Sequence, residues 1–297
     1  MPGFHWCSGS AGGAVECGVS MVGDSPVLAG VDGSEQAVVA AEWAAEEADL
    51  RGAPLRLLAV GDHPDREEEL WEALSQAADG CRAQRPRVEV VEEIRQGAAT
   101  SELIRCSSGA RLLVVGSHGR GRVAETLLGS VSRAVAMHAR CPVVVVRDRR
   151  RSFTVGPVVV GVDESAPSRE ALRFAFESAS ARRANLVALH VWRPVRAEYS
   201  WVDAPSGAIW FDLDDAQRSL AGQLDAVRAS FPGVEVHSEV RYGHPVDELT
   251  SAASHAQLLV VGHRGAGGFE RLLLGSVADG VLHHAECPVA VVRGGSG

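Results

Sequence analysis

Short, uninterrupted apolar runs alternate along this chain with longer stretches in which apolar residues recur at helical spacing. In the first half the runs Val27–Val31, Leu55–Val60, Val88–Ile94, Leu112–Val115 and Val143–Val146 read as strands. Between them, Ser34–Leu50, Glu67–Cys81, Ala99–Ser107 and Ser130–His138 read as amphipathic helices. Uniformly apolar strands joined through helices require parallel pairing and right-handed crossovers. The predicted architecture is therefore an open five-stranded parallel α/β sheet with helices on both faces. Ligands of such sheets bind beyond the carboxyl ends of the strands, where strand order reverses. Asp32 ends the first strand and Gly116 the fourth, so both face one crevice if those strands are neighbours.

The pattern then repeats. Arg111–Arg147 aligns without a gap to Gln257–Arg293, 146 positions later, with 21 of 37 residues identical. Upstream, Gly30-Val31-Asp32-Gly-Ser34 matches Gly161-Val162-Asp163-Glu-Ser165 at an offset of 131, so the second copy holds fifteen extra residues. These fall between Trp192 and Leu220, in a stretch carrying Tyr199, Trp201, Trp210 and Phe211, which either lids its pocket or packs against the neighbouring half. Packing is the favoured expectation. The organisation expected is residues 1–24 as a disordered tail, 25–147 as a first domain and 148–156 as a linker. A second domain covers 157–293, and 294–297 form a short tail. Arg147, Arg149, Arg150 and Arg151 read as solvated linker charge.

Composition narrows the function. A length of 297 residues, 46% of them apolar, suits two packed domains of roughly 150 residues each. A net charge of −9 argues against a nucleic-acid-binding face, which needs clustered Lys and Arg. Six cysteines without a CxxC pair give neither a zinc site nor a disulfide framework. Cys141 and Cys287 read as core residues. No apolar run approaches the roughly 18 residues of a membrane span, and no secretory signal is legible, so a reducing cytoplasm is expected.

The chemistry concentrates in the turn after the fourth strand of each copy. Gly116-Ser-His-Gly119 leads to Gly129-Ser130, and Gly262-His-Arg-Gly265 leads to Gly275-Ser276. Glycine lets a backbone approach a ligand closely, and successive N–H groups in such a turn form an anion-binding concavity. Ser130 and Ser276 stand where helices should start and are expected to cap them, with hydroxyl and amides available to a phosphate. Asp32 and Asp163 are expected either to cap the first helix, to accept hydrogen bonds from ribose or adenine, or to help hold Mg²⁺. The GxxxxGK[ST] loop is absent, and Gly119-Arg-Gly121-Arg-Val-Ala124 only mimics a dinucleotide fingerprint, because it follows the fourth strand rather than the first. No nucleophile paired with a base is evident, so no catalytic residue is assigned.

The signature Gly-x2-Gly-x9-Gly-Ser, preceded by Leu-Leu-Val-Val and followed by Val and then Cys-Pro-Val, resembles the universal stress protein family in its tandem form. The resemblance runs from about Val27 to Arg293, nine tenths of the chain. It implies two Rossmann-like domains of the adenine nucleotide alpha hydrolase-like type, a cytoplasmic location, and ATP, with or without Mg²⁺, held without rapid turnover. Carried over by position, Gly30, Val31, Asp32 and Val60 would border adenosine. Gly116, Gly119 and Arg120 would border ribose and phosphates, and Gly129, Ser130 and Val131 the phosphate tail. The second site would comprise Gly161, Val162, Asp163, Val191, Gly262, Gly265, Gly275, Ser276 and Val277. The resemblance further implies pairing of the two halves through their last strands, with a homodimer and protein partners left open.

Overall fold

A computed structural model describes residues 25–120, 128–147, 155–192, 208–266 and 273–294. Among them ten strands form one sheet. In the first half these are β1 (Val27–Gly30), β2 (Leu55–Gly61), β3 (Val90–Gln96), β4 (Leu112–Gly116) and β5 (Val143–Val146). They alternate with α1 (Glu35–Arg51), α2 (Glu67–Gln84), α3 (Ala99–Cys106) and α4 (Ser130–His138). The second half repeats the order with β6 (Val158–Gly161), α5 (Ala166–Arg182), β7 (Leu186–Trp192), α6 (Ala208–Arg228) and β8 (Val236–Tyr242). It continues with α7 (Pro245–Ala252), β9 (Leu258–Gly262), α8 (Ser276–His284) and β10 (Val289–Val292).

The sheet order is β3-β2-β1-β4-β5-β10-β9-β6-β7-β8. Every neighbouring pair is parallel except β5 and β10, which pair antiparallel through Val143↔Val291, Val144↔Ala290 and Val145↔Val289. Each half is thus the five-stranded parallel sheet expected, with β4 beside β1, and the last strands join as anticipated. The third strand starts two residues later than its apolar run suggests. Val88 is buried ahead of the ladder, while Arg95 and Gln96, polar but extended, pair with Val60 and Gly61 at the sheet edge. The tail, most of the linker and the segment holding Tyr199 and Trp201 lie outside the described residues. Trp210 and Phe211 fall on α6, with side chains outside them too.

The apolar interior is divided by the sheet, not by the repeat. One layer, under α1, α2, α5 and α6, runs through both halves, and the other lies under α3, α4, α7 and α8. Helix α1 presents Ala40, Ala41, Ala44, Ala45 and Ala48, all fully buried, so its backbone lies close on the strands. Cys141 and Cys287 are buried here as expected, and desolvation pushes both thiols up to about 12.

Pseudo-two-fold pairs lock the halves together. Arg51 of α1 lies 5.4 Å over the Phe174 ring, and its repeat equivalent Arg182 lies 5.4 Å over the Trp43 ring. Both guanidiniums converge on Glu47, which is fully buried, while the equivalent position in α5 is Ser178, accepting from Arg51 at 3.4 Å. Arg147, at the end of β5, donates to the carbonyls of Leu282 and His283 at the C-terminus of α8, at 2.6 and 2.8 Å. Arg293 at the end of β10 reciprocates on Met137 of α4. Arg147 is therefore not solvated linker charge. It satisfies two carbonyls that helix α8 leaves unpaired, at the end where the dipole favours a cation.

Two buried polar groups make the fold testable. Replacing Glu47 with Leu leaves two desolvated guanidiniums without their carboxylate, at a cost of about 3–5 kcal/mol, read as a lower urea midpoint with unchanged slope. Adding Arg51→Met and Arg182→Met should restore most of the loss. His263, in the turn after β9, is 8% exposed. Burial, helped by Arg293 and Arg264, lowers its pKa from 6.5 to about 4. In that window the unfolded chain takes up a proton that the fold refuses, so stability should fall as pH drops from about 6.5 to about 4. His263→Ser, matching Ser117 of the first half, should flatten that slope in pH-dependent thermal unfolding.

Candidate nucleotide-binding site

Two crevices open at the carboxyl ends of the strands, one per half. The first has a volume of about 370 Å³ and is lined by all ten residues the sequence assigned to it: Gly30, Val31, Asp32, Val60, Gly116, Gly119, Arg120, Gly129, Ser130 and Val131. The second, about 670 Å³, is lined by Gly161, Val162, Asp163, Val191, Gly262, Gly265, Gly275, Ser276 and Val277, again the full set. Each falls within the roughly 300–1,000 Å³ of small-molecule sites.

The loop after β1 and the turn after β4 are tied together by one carboxylate. Ser34 caps α1, its hydroxyl accepting from the Ala37 amide at 3.2 Å, so Asp32 is released from capping. Asp32 Oδ1 accepts from the Ser34 amide and hydroxyl at 3.0 and 2.6 Å, and Oδ2 accepts from the Arg120 amide at 3.1 Å. The second half repeats the latch. Asp163 takes Ser165 amide and hydroxyl at 2.9 and 2.5 Å and the Ala266 amide at 2.9 Å. A Cβ on Gly119 or Gly265 would collide with this carboxylate, so glycine is required there by the latch itself. Three of about four lone-pair positions on each carboxylate are used, which leaves room for one further donor.

Helices α4 and α8 begin differently from the expectation. Their N-caps are Gly129 and Gly275, both extended, and neither carries a side-chain cap. Ser130 and Ser276 are the first helical residues and are exposed, with hydroxyls that do not close the helix end. A cap must come from the residue before the first turn, and that residue has no side chain. In the first half Ser132 instead donates to the Gly116 carbonyl at 2.6 Å and fixes the turn beneath the helix. The Gly129 and Gly275 amides are taken by the carbonyls of Ser117 and His263 at 2.7 and 2.8 Å. The next first-turn amides meet the crevice at the positive end of the helix dipole. Helices α3 and α7 also start at the crevices, through Ala99 and Pro245, and their caps carry no side-chain bond either.

The floor is apolar. Leu58 and Leu103 line the first crevice, and Leu189 and Leu249 the second. Sequence reading missed these leucines, although Leu103 and Leu249 keep the 146-residue offset and were visible as a matched pair. It also missed Arg66 and Leu70 in the first crevice and Ser168, His190, Trp192, Arg264 and Ala266 in the second. His190 holds the Val162 carbonyl at 2.8 Å, and Trp192 meets Tyr242 with ring centroids 5.7 Å apart. His118 borders the first crevice, whereas His263 is buried beneath the second turn and does not line it. At the first mouth Glu69 accepts from Arg120 and Arg66, and these hydrogen bonds hold its carboxyl below the usual range.

Each crevice thus combines an apolar floor, one carboxylate acceptor and a helix start without a side-chain cap, an arrangement suited to a ligand with a flat apolar part and an anionic tail. Among the described residues no group of three or more His, Cys, Asp or Glu is placed to hold a metal ion, and no helix is long and apolar enough to cross a membrane.

Known proteins of similar sequence agree on one family. The model of the universal stress protein family matches residues 25–147 and again 154–293. A universal stress protein of Mycolicibacterium smegmatis is 37% identical over 289 residues, covering 90% of this chain and 96% of that protein. Universal stress protein Rv2623 of Mycobacterium tuberculosis is 36% identical over 293 residues, with the same shares. The crystal structure of a universal stress protein from Archaeoglobus fulgidus superposes with a TM-score of 0.68 at 21% identity, over 91% of this chain and 99% of that one, and shares the fold. With two family matches in register with two copies of one crevice, the chain belongs to the universal stress protein family.

Proposed function

We infer that this protein binds ATP in both crevices and works as a nucleotide-dependent stress regulator rather than a fast enzyme. The observation that carries the reading is the helix start without a side-chain cap, facing an apolar-floored crevice in two copies. In each site the adenine lies over the leucine floor against the backbone of Val60 or Val191, and Asp32 or Asp163 offers its remaining acceptor position to a ribose hydroxyl. Gly116 and Gly119, or Gly262 and Gly265, flank the ribose and phosphates. The amides of Ser130 and Val131, or Ser276 and Val277, receive the phosphate tail. A magnesium ion accompanying the nucleotide would be held mainly by phosphate oxygens and water, because the carboxylate is largely engaged.

Turnover is slow in this reading because the one carboxylate both crevices share, Asp32 or Asp163, is largely engaged by the turn, and His118 of the first crevice is replaced by Arg264 in the second. Bound ATP stabilises the folded chain by mass action, about 2.7 kcal/mol at a hundred times Kd, and alters the surface offered to protein partners in the cytoplasm.

Protein denatured after purification should release adenine nucleotide, and calorimetry with ATP should show uptake in both halves. Ser130→Asp and Ser276→Asp place a carboxylate at a helix start, where it favours the helix by about 0.3–1 kcal/mol but occupies the phosphate position. Each should abolish uptake at its own site while keeping the thermal midpoint. Uptake unchanged in the double variant, or phosphate release at several per second, overturns the reading.

A further inference from the structure

The two crevices share a backbone and differ in what stands over it. Arg120 follows Gly119 and its amide holds Asp32, but its side chain turns away from the helix start and pairs with Glu69 of α2. The guanidinium passes directly over Gly33, whose φ is +81° and whose missing side chain makes the passage possible. Arg66, in the turn before α2, braces the same carboxylate at 3.3 Å. A guanidinium–carboxylate–guanidinium chain therefore spans the mouth from the glycine turn to α2. Behind it, Leu70 is 3% exposed and lines the crevice, close enough to Gly61 that a Cβ there would stand 2.8 Å from its Cδ1.

Of these parts only the carboxylate has a counterpart among the described residues of the second half, Asp215 for Glu69, and there it pairs with Arg218 of its own helix. By the repeat offsets Ala266 stands for Arg120, Glu164 for Gly33, Ala216 for Leu70 and Trp192 for Gly61. Ala266 cannot reach across, Glu164 turns to Ser219 of α6 at 3.3 Å, and the crevice measures about 670 Å³ against about 370 Å³.

We propose that the crevices are unequal nucleotide sites: the second is the larger, tighter one, and the first is strapped by Arg120–Glu69–Arg66 over the Leu70 wedge. This rests on the nucleotide reading. Arg120 is the specificity residue of the first site, because a polyphosphate tail competes with Glu69 for its guanidinium and a ligand without phosphates does not. An exposed ion pair of this kind shifts affinity by two- to fivefold, and the wedge adds to it.

Single-site proteins separate the two. Ser276→Asp leaves only the first site and Ser130→Asp only the second, and ATP titration calorimetry reads each. The first site should bind at least about tenfold more weakly, the strap and the wedge together. Glu69→Ala, on an exposed helix position, should raise ATP affinity of the Ser276→Asp protein by about two- to fivefold, leave its weak adenosine affinity unchanged, and not affect the Ser130→Asp protein. Equal affinities at the two sites, or an unchanged ATP affinity on Glu69→Ala in the Ser276→Asp protein, overturn the proposal while the nucleotide reading stands. No ATP uptake by the unsubstituted chain overturns both.

Discussion

The antiparallel seam between β5 and β10 determines the rest of the molecule. Each half ends in a short strand of uniformly apolar residues, whose unpaired amides and carbonyls need a partner. Pairing the two satisfies both edges and merges two five-stranded sheets into one of ten. It also reverses strand direction across the seam, so the carboxyl ends, and with them the crevices, lie at opposite ends of the sheet. The seam further brings each terminal arginine onto the other half's helix: Arg147 satisfies α8 and Arg293 satisfies α4. Neither helix end is complete within its own half, and the apolar layers run through both. The repeat is a unit of sequence, while the folded unit is the pair.

Duplication conserved what the backbone needs and released what it does not. The latch of aspartate, serine and glycine-turn amide is the same in both halves to within a few tenths of an ångström. Side chains at the rim have diverged. The buried charge cluster shows the same asymmetry, since two equivalent arginines converge on Glu47 of one half while the other half offers Ser178. One carboxylate compensating two guanidiniums works because both rings beneath them, Trp43 and Phe174, take up part of the cationic charge.

Most of the fold was legible in the sequence because its strands are apolar on both faces and stand out as unbroken runs. Edge strand β3 was misplaced by two residues because an edge carries polar residues such as Arg95 and Gln96, which hydropathy alone assigns to a loop. The site's backbone members were legible through spacing, since glycines and the residues beside them repeat at fixed offsets. Its floor was not, because Leu58 and Leu103 look like any other core leucine until the crevice above them is seen. Arg147 was misread because proximity to Arg149, Arg150 and Arg151 suggested solvent, while its partners lie 135 residues or more away.

The structure also changes what the glycine signature means. Gly119 and Gly265 are glycines because the Asp32 and Asp163 carboxylates occupy the space a Cβ would take. Those positions would be retained by a chain that bound nothing, so long as the latch holds the turn. The anion-facing feature lies ten residues further on, where Gly129 and Gly275 precede helices α4 and α8 without supplying a cap. Glycine at these two positions also has a packing cause, since a Cβ would stand 3.1–3.2 Å from backbone atoms of the turn, and a Ser or Asp cap would add only about a few tenths of a kcal/mol over glycine. Helices α1 and α5 of the same chain have that serine, in Ser34 and Ser165. At both crevices the first-turn amides are left without a side-chain cap, and those donors, not the glycine spacing, are the stronger physical argument for an anionic ligand.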